Sequence, residues 1–356
     1  MSISLDAVSA YVHNDYIMRP TRSKRDQHNT LVASSIDQLP QQITATLASW
    51  PKVNPFAKKQ FDAIVVCGMG GSALAADWLR YTYWNKLKLP IVIVNNYQLP
   101  ASVTAKSLIV IASYSGTTEE SLSCFQEARR KHLPIIVLTS GGPLAELAVR
   151  HRLPHVIFDT RYNPSGQPRL GLGYFVAAYF QIARWTKALN IPTTELIAAS
   201  KKLKPAAKLI TTQAKQLATQ QCIVIASEHL IGAAHIASNQ LNETAKMFAT
   251  YFALPELNHH LLEGLSQLGA RSKQWSIICL ESSLYGSQTR KRYRVTQEIL
   301  KRFGIAVTKQ SFTGSTLEQS LQAIAWSSAI TLELAQQQYL DATAIPWVSY
   351  LKKRLA

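Results

Sequence analysis

From Phe61 onward, short runs of β-branched and aliphatic residues alternate with longer stretches compatible with helix. Such alternation is the pattern of parallel strands, buried on both faces, joined by crossover helices. It predicts strands over 63–67, 91–94, 108–112, 135–139 and 155–158, with helices over 73–83, 118–131 and 143–150, making one doubly wound sheet. A turn-rich break at 163–169, holding Pro164, Gly166 and Pro168, precedes a helix over 172–188. After a polar helical span over 194–219 the alternation resumes, with strands over 222–226, 276–280 and 305–309 and helices near 232–252, 289–302 and 317–338. The expected fold is α/β: two doubly wound parallel-sheet units with flanking helices. The expected division is an N-terminal extension (1–30), a first unit (31–188), and a second unit (189–356) that closes on a C-terminal helix.

Composition narrows the class. A chain of 356 residues with 47% hydrophobic content can bury two ordinary cores. No apolar run reaches membrane-spanning length, and residues 1–15 carry Asp6 and Asp15 without a basic or apolar leader, so no signal peptide is expected. Of the four cysteines, Cys67, Cys222 and Cys279 lie in or beside strand-like runs and Cys124 lies in a predicted helix. No CxxC or Cys/His ligand spacing occurs, which predicts no metal site and reduced thiols in a cytoplasmic protein. The net charge of +17 attracts any anion, whether sugar phosphate, nucleic acid or acidic membrane. Its clusters, at Arg290–Lys291–Arg292, Arg294, Lys301–Arg302 and Lys352–Lys353–Arg354, follow predicted helices without interleaved stacking aromatics. That is the pattern of solvated helix faces, so neither nucleic acid nor membrane is expected as a partner.

Two segments carry anion chemistry. In Ile64-Val-Val-Cys-Gly68-Met-Gly70-Gly71-Ser72-Ala73 an apolar strand runs through three glycines into a helix, where free backbone amides and the helix dipole favour an anion. The spacing also satisfies G-x-G-x-x-A, but the next strand ends in Val94-Asn-Asn-Tyr97, without the acidic residue that a dinucleotide ribose needs. Glycines required for tight strand-to-helix packing are the bland alternative. The second segment, Ser113-Tyr-Ser115-Gly-Thr117-Thr118-Glu-Glu120, crowds four hydroxyls at another strand exit. It reads either as a hydroxyl-and-amide cup for a phosphate monoester or as an ordinary N-cap completed by Glu120.

Together these two segments resemble the sugar-isomerase (SIS) domain, and more narrowly the bifunctional phosphoglucose/phosphomannose isomerases. The resemblance places the sugar phosphate on Gly71, Ser72, Ser113, Ser115 and Thr118. It departs from the family at Ala73, usually Gly, and at Thr117, usually Asn. A Pro168-Arg169 pair ahead of Leu172-Gly173 matches the arginine that approaches the reacting carbons, although Arg169 could equally cap or salt-bridge the helix start. Asn239-Gln-Leu-Asn-Glu243-Thr-Ala-Lys246 and Pro255-Glu-Leu-Asn-His259-His260 are similar to the family's acid/base segments. By the match Glu243 is the base, and His259 assists ring opening from the neighbouring subunit of a homodimer; His260, where Asn is usual, leaves the choice between the two histidines open. His259 with Glu263 lacks further ligands for zinc. Lys352 matches a lysine that reaches the sugar, against a plain reading as one of three cations at a helix end.

The implied activity is interconversion of glucose 6-phosphate, and of mannose 6-phosphate, with fructose 6-phosphate through a cis-enediol, without metal or nucleotide cofactor. The rival is a non-catalytic sugar-phosphate sensor. Regulators of that kind carry a helix-turn-helix domain, for which the residues before Leu31 are too few. An amino-sugar isomerase joined to a glutaminase would need an N-terminal cysteine.

Overall fold

The computed structural model describes residues 21–203, 207–218 and 220–355; the expected N-terminal extension lies outside the described residues up to residue 20. The first half runs α1 (Arg22–Asp37), α2 (Leu39–Ala48), β1 (Ala63–Cys67), α3 (Gly71–Thr82), β2 (Ile91–Val94), β3 (Ser107–Ser113), α4 (Glu119–Arg130), β4 (Ile135–Thr139), α5 (Gly142–Arg150), β5 (His155–Ile157) and α6 (Leu172–Trp185). The second runs α7 (Thr193–Ser200), α8 (Ala207–Leu217), β6 (Gln221–Ala226), α9 (Ile231–Glu243), β7 (Ala249–Ala253), α10 (Leu261–Ser266), β8 (Trp275–Ser282), α11 (Ser287–Arg302), β9 (Ala306–Phe312), α12 (Thr316–Gln337) and α13 (Pro346–Leu355).

Both sheets are parallel, in the orders β2-β1-β3-β4-β5 and β7-β6-β8-β9. Strand periodicity divides the first sheet between two cores: Ile64, Val66, Leu108 and Val110 face a large core shared with the second half, while Val65, Cys67, Ile109 and Ile111 pack under α4 and α5. The halves meet where α9 lies across α3. Gly232 permits this closeness, since a Cβ there would sit 2.5 Å from the Trp78 Cα. Trp78 Nε1 also donates to the Ser320 carbonyl of α12, at 3.2 Å.

The expected α/β fold with two parallel sheets is present, and most element limits agree to within a residue or two. The clear departure is the helix expected near 232–252. It stops at Glu243; Lys246 takes a left-handed φ of +56°, and Ala249–Ala253 becomes the edge strand β7. Thr250, Tyr251 and Phe252 suit a half-buried strand, and pairing with β6 overrides their helix-compatible spacing. The expected span over 194–219 is instead two helices, α7 and α8. Helix α1 begins ahead of the expected start at Leu31, and its His28 and Asn29 hold the segment after α12: His28 Nδ1 lies 2.7 Å from Asp341, and the Ala342 amide donates to Asn29 at 2.9 Å. Among the described residues no helix is long and apolar enough to cross a membrane.

Candidate active site

The strand order of the first sheet reverses between β1 and β3, and both glycine- and hydroxyl-rich turns leave the carboxyl ends of these two strands. In open parallel sheets this is the crevice where ligands bind. The turns are tied together: the Tyr114 amide donates to Ser72 Oγ at 3.0 Å. Ser113 Oγ lies 2.8 Å from Thr118 Oγ1 and accepts from the Gly116 amide at 3.0 Å. Gly116 has φ +71°, and a Cβ there would lie 2.0 Å from the Gly141 carbonyl oxygen, so only glycine fits. The ordinary-cap alternative is not formed. Thr118 and Gly70 are the N-cap residues of α4 and α3, and neither helix has a side-chain cap. The first-turn amides of α4 therefore open onto a hydroxyl-lined turn together with the Gly71 amide, while the Ser72 and Ala73 amides are taken by the Met69 and Gly70 carbonyls; such a turn suits a phosphate dianion. Thr117 Oγ1 lies 2.8 Å from Ser115 Oγ, so the departure at Thr117 ties up a cup hydroxyl internally rather than removing one.

Gly71 backs onto the next part of the site: a Cβ at this residue would lie 2.8 Å from the Pro168 carbonyl and 3.2 Å from the Arg169 amide. Arg169 is 2% exposed. Its Nε donates to Thr244 Oγ1 at 3.0 Å and Nη1 to Gln167 at 2.9 Å, while Nη2 donates to the Ala342 carbonyl. Nη1 also pairs with Glu243 Oε2 at 3.3 Å. Burial lowers the Arg169 pKa and the Glu243 carboxylate offsets part of that; the guanidinium stays charged. Glu243, the last residue of α9, keeps a third of its side chain accessible, at 35%. A cleft of about 430 Å³ runs along the seam of α3 and α9, lined among others by Met69, Gly70, Asp77, Asn95 and Tyr251, and by Asn239 one turn before Glu243; its lining adjoins Gly71 in sequence but includes neither Arg169 nor Glu243. Ala73 lines it too, placing that departure from the family pattern on the cleft wall.

The structure thus brings together Gly71, Ser72, Ser113, Ser115, Thr118, Arg169 and Glu243. It does not bring in His259 or Lys352. His259 is exposed in a short turn, Glu256–His259, and no hydrogen bond or ion pair engages its ring among the described residues. The neighbouring His260 is held by Glu256 at 2.8 Å. Lys352 is exposed on α13, with no ion pair to the cleft. Sequence reasoning passed over Lys246, whose Nζ donates to the Glu243 carbonyl at 2.5 Å. It also passed over Gln167, Thr244 and Asp341, which support the site from three separate segments. Among the described residues no group of three or more His, Cys, Asp or Glu is placed to hold a metal ion.

Comparison with known proteins bears on the fold and the class. Residues 59–165 match the SIS domain and residues 206–355 the bacterial phospho-glucose isomerase C-terminal SIS domain. The C-terminal domain of glucosamine-fructose-6-phosphate aminotransferase from Francisella tularensis has the same fold, with a TM-score of 0.67 at 15% identity over 88% of this chain and 96% of that one. The fold and the paired loops define a double-SIS protein of the sugar-isomerase class. Bifunctional phosphoglucose/phosphomannose isomerases are similar along nearly the whole length: that of Caldicellulosiruptor bescii is 28% identical over 90% of this chain and 98% of its own, and that of Aquifex aeolicus 29% over 83% and 91%. The chain thus carries two SIS-type domains, the second of the bacterial phospho-glucose isomerase C-terminal type, and is similar over most of its length to the bifunctional phosphoglucose/phosphomannose isomerases.

Proposed function

We propose that the protein is an aldose-ketose isomerase that interconverts glucose 6-phosphate, and mannose 6-phosphate, with fructose 6-phosphate through a cis-enediol. The phosphate binds in the cup of Gly71, Ser72, Ser113, Ser115 and Thr118. Glu243 removes the proton from C2 of the open-chain aldose and returns it to C1, while Arg169 stabilises the negative charge that develops on the enediolate oxygen. The observation that carries this reading is the short path from cup to carboxylate: Gly71 packs on the Pro168–Arg169 turn, and Arg169 is 3.3 Å from Glu243.

Ring opening is assigned to His259 rather than His260, because Glu256 already holds His260. His259 then serves the cleft of a neighbouring copy in a homodimer, which its exposed, unengaged ring supports. The role of Lys352 on the sugar rests on the resemblance alone. All four thiols are free and buried, in keeping with a cytoplasmic setting.

Glu243→Gln tests the reading. Turnover and exchange of the C2 proton with deuterated solvent, followed by NMR, should fall roughly 10²- to 10⁴-fold, with binding of fructose 6-phosphate retained. Turnover within tenfold of the wild type would remove Glu243 as the base. A wild-type protein that binds fructose 6-phosphate without exchanging a C1 proton with solvent would be a sensor.

A further inference from the structure

Four charged groups from separate parts of the chain meet at the end of α9. Glu243 closes the helix; Arg169 approaches from the Pro168–Leu170 turn, 3.3 Å from it. Asp341 follows α12 and adjoins Ala342, whose carbonyl Arg169 also holds. The fourth is Lys246, which the left-handed turn after α9 brings back so that Nζ donates to the Glu243 carbonyl. The Lys246 side chain is exposed, but its Nζ is held at the Glu243 carbonyl, where the charges of Arg169, Asp341 and Glu243 act on it.

We propose that Lys246 is a positioning residue for the Glu243 base, fixing the end of α9 and balancing the negative charge that Glu243 and the enediolate share during proton transfer. This rests on Glu243 being the base. Arg169 and Lys246 are the cations beside Glu243, while the nearby Asp341 is itself paired with His28 at 2.7 Å. When the C2 proton moves to Glu243, its bonding electron pair remains with the substrate, so one negative charge passes from the carboxylate to the enediolate oxygen. Return of the proton to C1 reverses the transfer. Lys246 offsets that charge throughout only while it keeps its own proton. A helix-capping lysine with no further role would also donate to a terminal carbonyl, so the test has to separate charge from structure.

The protonation state supplies that separation. Burial of the ammonium, and then the Arg169 guanidinium, bring the Lys246 pKa down to about 8, against the upward pull of Asp341 and Glu243. The active cation is therefore lost as pH rises through this value, and kcat/KM should fall on the alkaline side. Lys246→Arg keeps the charge at every working pH. Its alkaline limb should shift up by at least about one pH unit, with kcat at pH 7 within about tenfold of the wild type. Lys246→Met should lose about a hundredfold in kcat with KM little changed, and inorganic phosphate should still compete for the cup, showing that the fold persists. A Lys246→Met protein with undiminished kcat, or a Lys246→Arg protein whose alkaline limb stays where the wild type has it, overturns the proposal. Should the methionine variant not fold, the arginine variant alone decides. Neither result touches the base assignment, which Glu243→Gln tests separately.

Discussion

Arg169→Lys is the substitution that asks most of this site while preserving its charge. The guanidinium spans Thr244, Gln167, Glu243 and the Ala342 carbonyl with three nitrogens arranged as a planar fork. A lysine brings one nitrogen to the same 2%-exposed position, and it cannot reach both Thr244 on the Nε side and Ala342 on the Nη2 side. If the ammonium keeps the Glu243 pairing and the other three bonds are lost at about 1 kcal/mol each, the deficit is about 3 kcal/mol. That corresponds to roughly a hundredfold in the equilibria and rates those bonds support. Because Arg169 backs Gly71 without occupying the cup, the loss should appear in kcat, with KM for fructose 6-phosphate much less affected. Steady-state kinetics in both directions, beside urea denaturation of the same protein, would divide the deficit between catalysis and stability. A lysine variant whose kcat/KM and urea midpoint both lie close to the wild type would refute the view that the fork holds the cleft together.

Two further outcomes follow from individual contacts. If His259 serves the partner's cleft, mixing the inactive Glu243→Gln and His259→Ala proteins should restore activity toward about a quarter of the wild-type value, since random re-pairing makes half the dimers mixed and one site in each complete; no recovery would place His259 in its own subunit's cleft, and His260→Ala should stay active in either case. The Glu318 carboxylate is held down to about 2, first by the hydrogen bond from Lys202 and then by those from Ser315, which caps α12. Its folded pKa is lowered, so its stabilisation is full above the ordinary glutamate value of 4.5 and disappears as pH falls through 2; the gap in urea midpoint between wild type and Glu318→Gln should therefore be widest at neutral pH and close by pH 2, and equal midpoints at pH 7 would sink the claim.

Much of this molecule was legible because its strands are aliphatic on both faces, which leaves little freedom in where they lie. The strands over 63–67, 91–94 and 135–139 coincide with β1, β2 and β4. Edge strand β7 was not legible: one side of it has no strand partner, and its residues are compatible with helix. The hydroxyl-rich turn at the β3 exit could be read because hydroxyls in excess of any capping need are visible as letters. The supporting cluster could not. Gln167, Thr244 with Lys246, Asp341 and Asn29 come from four places in the chain, and what joins them is a folded return that no local pattern encodes. Lys246 stood in a segment already singled out for Glu243, yet its inward turn depends on a positive φ at a non-glycine residue.

The same topology explains why two cations gather at the end of α9. Asp77 of α3 meets His235 of α9 at 2.8 Å, and Gly232 packs on Trp78, so the first turns of α9 lie over the later turns of α3. Farther along, Glu243 at the end of α9 reaches Arg169, which packs against Gly71 at the start of α3. The helices therefore run in opposite directions, and one cleft receives the positive end of α3 and the negative end of α9. The positive end, joined by that of α4, suits the phosphate. On the proposed mechanism the negative end opposes the enediolate, in addition to the carboxylate of Glu243 itself. Helix ends and turn hydroxyls together suit the phosphate, but on the proposed mechanism the intermediate needs imported positive charge. Arg169 and Lys246 both lie at that end of α9: Arg169 is held by the Ala342 carbonyl of the segment that Asn29 of α1 anchors, and Lys246 by the Glu243 carbonyl.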